Sequence, residues 1–178
     1  MNAFTRLDQH LGGLTQVFES ARQRAAAQGA PVLASYALAI ADMDLLALFR
    51  QADRPGAEAL FWRDAGGARS LFGWGLAAEL NAVGAQRFTS LDQQWQDWLA
   101  NAVIQGPLPP LLCGGLRFDD QVAPGSAWHG FGDASLWLMG LLVVREAGQC
   151  WLLCQQRMGP QDNPRQRSEA LLDDWSTL

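Results

Sequence analysis

The chain has 178 residues, 49% of them apolar, and a formal net charge of −5 at pH 7. This length suits one domain with a real core, and the composition excludes a disordered tail. The basic residues are 13 scattered arginines without a lysine, so we expect no nucleic-acid partner. No apolar run reaches the roughly 18 to 20 residues that span a bilayer, and the first residues lack an apolar signal core. We therefore expect no membrane partner and a cytoplasmic location.

Hydrophobic periodicity and turn-forming residues divide the chain into helices and strands. The predicted elements are a helix at 4–28 in one or two pieces, a strand at 31–40, a loop or short helical turn at 42–52, strands at 57–64 and 68–80, a helix at 90–104, a strand at 111–119, a loop at 121–130, and strands at 136–146 and 149–157. Hairpins are predicted at Gly66–Gly67 and Ala147–Gly148, because each pair separates two strand-like runs. Ser90 is the expected N-cap of the second helix.

The order of these elements predicts an α+β fold with a mainly antiparallel sheet of about six strands and helices on one face. Residues 1–158 form the ordered domain in this interpretation. The polar, breaker-rich stretch from Gly159 predicts a linker, and residues 170–178 could begin another helix. Strand 136–146 is apolar at successive positions, so apolar side chains point to both faces of the sheet. Because the helices cover one face, we expect an open apolar face and self-association.

The sharpest general motif is the run Gly73-Trp74-Gly75-Leu76-Ala77-Ala78, which fits the G-x-G-x-x-A pattern of dinucleotide-binding folds. Such a site needs a helix directly after the motif and an acidic residue about twenty positions further on. Asp92 has this spacing, but it falls at the start of a predicted helix. We favour two closely packed strand glycines, and keep a small nucleotide-binding domain as an alternative.

Possible catalytic groups do not form a recognisable set. Cys113 with His129 and Ser126 with His129 are conceivable pairs of nucleophile and base, but neither pair stands in a known signature. The run Cys113-Gly114-Gly115 could form an anion-binding nest of backbone N–H groups, although such glycines more often let a bulky neighbour approach.

Carboxylates and thiols also fail to identify a metal site. The adjacent acids Asp119–Asp120 and Asp173–Asp174 could bind a cation, but such pairs are usually solvated. Cys113, Cys150 and Cys154 are an odd number without a disulfide framework, and we interpret them as buried thiols. We therefore assign no catalytic, cofactor-binding or metal-binding residue.

Several stretches together carry a family resemblance. In chain order they are Leu60-Phe61-Trp62, LFGWGLAAEL at 71–80, Gln86-Arg87-Phe88, LCGGLRFD at 112–119, Trp128, Phe131, DASLWL at 133–138, Gly148 and CWLLCQ at 150–155. Their order and spacing resemble the amino-terminal half of isochorismate synthases, a family of chorismate-utilising enzymes. The greatest similarity is to the branch that feeds salicylate-type siderophores, and it runs from about Pro31 to Gln155.

The resemblance implies an isomerase that converts chorismate to isochorismate with magnesium. In this family a lysine is the general base, a glutamic acid protonates the departing hydroxyl, and further glutamates hold the metal. All of these residues belong to the carboxy-terminal half, which we expect to begin within 159–178. We therefore expect a non-catalytic part without a cofactor of its own, with the carboxy-terminal chorismate-binding half as its partner. The alternative is a stand-alone interaction module that reuses the same half-fold.

Overall fold

A computed structural model describes residues 7–52, 56, 58–118 and 132–178 of the chain. Its elements are a 3-10 turn at Leu7–His10, α1 (Leu11–Gln28), β1 (Val32–Ile40), α2 (Leu45–Ala52), β2 (Ala59–Arg63), β3 (Arg69–Ala82), α3 (Arg87–Ala100), β4 (Val103–Gln105), β5 (Cys113–Leu116), β6 (Ala134–Glu146), β7 (Gln149–Met158) and α4 (Pro164–Thr177). None of the helices in these ranges combines the length and the apolar character that a membrane span requires.

The described strands form one sheet in the order β2-β3-β6-β7-β1-β4, and β5 pairs with β6. Strand β6 pairs with β3 along its whole length, with β7 over its second half, and with β5 near its start. All of these pairings are antiparallel, as are β2 with β3 and β1 with β7. Among the strands that the structure describes, only β1 and β4 run parallel. The prediction of an α+β fold with a mainly antiparallel sheet is confirmed.

Both predicted hairpins are present. Strands β2 and β3 pair from Arg63↔Ser70 to Ala59↔Trp74, and β6 and β7 pair up to Glu146↔Gln149. In the second turn, Ala147 and Gly148 have φ angles of 51° and 75°. Two successive positive φ angles are what a tight type I′ turn requires, because its twist matches that of the strands.

Alternate side chains of the central strands enter two different apolar clusters, as strand geometry requires. One cluster lies under α1, α2 and α4, and its strand members include Phe72, Leu141, Val143, Leu152 and Cys154. The other lies on the second face of the sheet and includes Ala37, Met139, Leu142, Val144 and Leu153. Helix α3 belongs to a third cluster with Leu80, Ala82 and Ala134. Three of the four helices therefore share one face.

The helix predicted at 90–104 corresponds to α3, and the prediction placed its end too late. Helix α3 ends at Ala100, and Val103–Gln105 instead forms β4, which pairs with Ala34, Ser35 and Tyr36 of β1. The periodicity of this short apolar stretch could not separate a helix from a strand, and the free edge of β1 decides the outcome. The predicted N-cap is wrong too, because Ser90 lies in the first turn of α3, which begins at Arg87.

Two other regions differ from their predictions. Residues 42–52, predicted as a loop or short helical turn, contain α2, and the Asp44 carboxylate accepts hydrogen bonds from the backbone of Leu46 and Ala47 at its start. Strand β5 covers only Cys113–Leu116 of the predicted 111–119, and residue 119 lies outside the described residues.

The expected polar linker is short, because α4 begins at Pro164. The Asn163 side chain caps this helix by accepting a hydrogen bond from the backbone N–H of Gln166 at 3.1 Å. Buried Leu171 and Trp175 belong to the core cluster under α1, and α4 packs against α1. Residues 164–177 are therefore part of the packed fold. The division of the chain after residue 158 stays a prediction.

Candidate functional site

The glycine motif lies within a strand, not between a strand and a helix. Gly73 has no room for a side chain, because a Cβ there would approach Met139 Cγ to 2.6 Å. Gly75 has a φ of 67°, and its N–H donates to Glu58 O at 2.9 Å. Since β3 continues to Ala82, the helix that a phosphate-binding motif needs is missing. The nucleotide interpretation therefore fails on geometry. The prediction of two closely packed strand glycines is confirmed for Gly73 and wrong for Gly75, where a Cβ would meet no atom within 4 Å.

The run Cys113-Gly114-Gly115 forms β5 and pairs with Trp137, Leu136 and Ser135 of β6. A Cβ on Gly114 would collide with the carbonyl oxygen of Ser135, so this glycine permits a close backbone approach. Cys113 is buried, and burial raises the pKa of its thiol to about 11, although the nearby Arg69 charge opposes the shift. The thiol is therefore protonated near neutral pH.

The remaining sequence candidates do not assemble into a site. Ser126, His129 and the pair Asp119–Asp120 lie outside the described residues. Asp173 and Asp174 lie on α4, where burial and the neighbouring Asp173 raise the pKa of Asp174. Among the described residues, no three His, Cys, Asp or Glu side chains are grouped to hold a metal ion, and we assign no reaction step to a metal there.

The interpretation of the cysteines as buried thiols is confirmed, since Cys113, Cys150 and Cys154 are all free and buried. Cys150 Sγ donates to the Asp42 carboxylate at 3.4 Å. Burial raises the pKa of Cys154 to about 12.

A buried arginine that sequence reasoning did not single out holds together the end of the sheet where β3 leads into α3. Arg87 is 4% exposed, and its guanidinium donates to the carbonyl oxygens of Gly84, Arg117 and Phe118 at 2.8–3.2 Å. Arg117 in turn binds Asp133 at 2.7 Å, and the second carboxylate oxygen of Asp133 accepts from Gly84 N at 2.7 Å. This network joins the β3–α3 turn to the ends of β5 and β6. Its only sequence signal is that Arg87, Arg117 and Asp133 fall within the stretches that carry the family resemblance.

The second face of the sheet carries an apolar cavity of about 430 Å³. It is lined by Leu60, Trp62, Arg69, Leu71, residues 111–115 and Trp137. Trp62 and Trp137 remain 47% and 38% exposed. The cavity combines apolar walls with one cation, which suits it to receive another molecule or protein segment.

A hydrogen-bonded carboxylate holds one wall of this cavity. Glu79 Oε1 accepts from the indole N–H of Trp137 at 2.9 Å and also from the Ser135 hydroxyl. Hydrogen bonds from Ser135, Trp137 and Asn81 lower the pKa of Glu79. The Trp137 indole is therefore oriented by an ionised partner.

Comparison with known proteins gives the family. The model of a family described as chorismate binding enzyme matches residues 19–178. The chain belongs to the chorismate-binding enzyme family. The salicylate biosynthesis isochorismate synthase of Pseudomonas aeruginosa is 38% identical over 160 residues, which are 90% of this chain and 33% of that protein. The expected family resemblance is confirmed, and the chain spans about a third of the length of this relative.

A solved structure has a fold similar to that of this chain. The structure of MenF, the menaquinone-specific isochorismate synthase from Escherichia coli, superposes with a TM-score of 0.54 and 14% sequence identity. The match covers 93% of this chain and 34% of MenF. At this identity the likeness concerns the fold alone.

Proposed function

We propose that this chain is the amino-terminal, non-catalytic part of a magnesium-dependent isochorismate synthase that acts in salicylate and siderophore biosynthesis in the cytoplasm. The observation that carries the proposal is the 38% identity with a salicylate biosynthesis isochorismate synthase, which extends over 90% of this chain. The absence of lysine from all 178 residues supports it, because the base that the family uses must then come from elsewhere.

The proposed role of these residues is structural. They supply a seven-stranded sheet with a helical layer on one face, and the proposed partner is the chorismate-binding half, which holds the magnesium and the reacting groups. The exposed apolar side chains on the second face, Trp62 and Trp137, favour such a partner over a surface that meets only water. Self-association through the same face is proposed for the chain when that half is missing.

Reconstitution tests this function. The chain is co-expressed with the two thirds of the Pseudomonas aeruginosa relative that it does not match, and the purified pair is incubated with chorismate and Mg²⁺. We expect isochorismate from the pair and from neither part alone. The control pairs the same two thirds with the relative's own matching third. The stand-alone interaction module would be favoured if the control pair is active, while this chain neither gives activity nor co-purifies with the same two thirds of the relative.

A further inference from the structure

The cavity on the second face has the size and chemistry of a small-molecule site. Its volume of about 430 Å³ lies within the roughly 300–1,000 Å³ of known ligand pockets. Leucines, two indoles and the Cys113 thiol supply apolar walls, and Arg69 is the one charged side chain among the lining residues. Known ligand pockets are mostly apolar, with a few polar groups that fix the orientation of the ligand. This lining therefore suits a ligand with an apolar body and one negatively charged end.

The guanidinium of Arg69 has one N–H donor without an acceptor in the described part of the chain. Its Nε atom is buried and has no hydrogen-bond partner among the described residues. The nearest carboxylate oxygen that pairs with it, on Glu146, lies 3.9 Å from Nε, which is too long for a hydrogen bond. The Arg69 charge also acts on the thiol of Cys113 across the cavity. The Arg69 guanidinium at the cavity therefore has an unfilled N–H donor, and its planar fork matches the geometry of a carboxylate.

The two indoles give the cavity flat walls. Trp62 lies on β2 opposite Leu71 of β3, and Trp137 lies on β6 opposite Cys113 of β5. Glu79 holds the Trp137 indole through its N–H, so this wall is fixed before any ligand arrives. Aromatic faces favour contact with another flat ring.

We infer that the cavity binds a small aromatic monocarboxylate, whose carboxylate pairs with Arg69 while its ring lies against Trp62 and Trp137. One arginine matches one negative charge, so a dianion or a phosphate would leave charge unpaired between apolar walls. Glu146 is the competing acid at Arg69. The inference concerns ligand binding by the chain alone and does not depend on the proposed isochorismate synthase role, in which the chorismate-binding half covers the same face.

Calorimetric titration of the 178-residue chain with 2-naphthoate tests the inference, at a concentration at which sedimentation shows a monomer, because self-association through this face would cover the cavity. We expect saturable binding that is lost when the neutral 2-naphthamide replaces the acid. Arg69→Gln should raise the dissociation constant about tenfold or more, because hydrogen bonds to charged groups contribute at least that much. Glu146→Gln should lower the dissociation constant, since the ligand then meets no competing carboxylate.

Arg63→Gln is the matched control, because Arg63 lies in the same hairpin but lines a different cavity with Asp42 and Ser70. It should bind 2-naphthoate as the unchanged chain does. Thermal unfolding of each variant establishes that it is folded. The inference is overturned if the folded chain does not bind 2-naphthoate, or if Arg69→Gln and Arg63→Gln bind it equally well.

Discussion

Gln155, at the centre of β7, pairs its side-chain amide with the backbone of Leu111. Its Oε1 accepts from Leu111 N at 3.0 Å, while Nε2 donates to Met139 O at 3.0 Å and reaches Leu111 O at 3.5 Å. Gln155 is fully buried. This amide therefore holds the segment before β5 against the second face of the sheet. Leu108 and Leu111 of this segment pack there against the apolar cluster that contains Leu153.

Replacing Gln155 should loosen this segment. Gln155→Met keeps the length of the side chain but leaves Leu111 N and Met139 O without their partner. Each buried group left unpaired costs about 1–3 kcal/mol, so we expect the free energy of unfolding to fall by about 2–4 kcal/mol. Urea denaturation followed by tryptophan fluorescence measures it. Gln156→Met, at the half-buried next position, should change the free energy by less than about 1 kcal/mol; equal effects would contradict this account of Gln155.

Arg87 should be equally important where the β3–α3 turn meets the ends of β5 and β6. Arg87→Met removes the donors to Gly84 O, Arg117 O and Phe118 O, and we expect a loss of about 2–4 kcal/mol in the free energy of unfolding. Arg87→Lys should recover only part of this loss, because an ammonium group cannot reproduce the planar fork. Chemical denaturation of both variants provides the measurement. Full recovery by lysine would show that charge alone matters at this position.

The features that could be predicted best from the sequence are those that depend on neighbouring residues in the chain. Gly66–Gly67 and Ala147–Gly148 mark hairpins through backbone conformation alone, and the apolar run of β6 marks a strand buried on both faces. Strand β4 could not be predicted, because Val103–Gln105 is extended only by pairing with β1, about 70 residues earlier. The cavity could not be predicted from the sequence either. Trp62, Arg69 and Trp137 come from three strands, and only the sheet register brings them together.

The ionisation of Glu79 gives a pH-dependent signal at the cavity wall. Hydrogen bonds from Ser135, Trp137 and Asn81 lower its pKa below the ordinary value of 4.5. The carboxylate form is thus favoured by the fold. Its contribution to stability is fully present above pH 4.5 and is lost as the pH falls through the lower folded pKa. In an NMR titration the indole N–H of Trp137 should shift with a midpoint below pH 4.5. A midpoint at or above this value would contradict the proposed hydrogen bonding.

The three thiols should differ in reactivity. Cys113 lines the cavity and is 7% exposed, whereas Cys150 and Cys154 are 2% and 1% exposed. Because only the thiolate reacts and burial raises all three pKa values, we expect slow alkylation by iodoacetamide at pH 8, with Cys113 modified first. Arg69→Gln should slow this reaction further, since the positive charge lowers the pKa of Cys113. Mass spectrometry of digested samples identifies the site, and faster labelling of Cys154 would refute the order.

We propose that the chemistry of the isochorismate synthase lies outside these 178 residues. The purified chain is incubated with chorismate and Mg²⁺, and the products are separated by chromatography, with the full-length Pseudomonas aeruginosa relative as the positive control. We predict that the chain leaves chorismate unchanged while the control forms isochorismate. Isochorismate produced by the chain at an enzymatic rate, about 1 per second or faster, would contradict the claim.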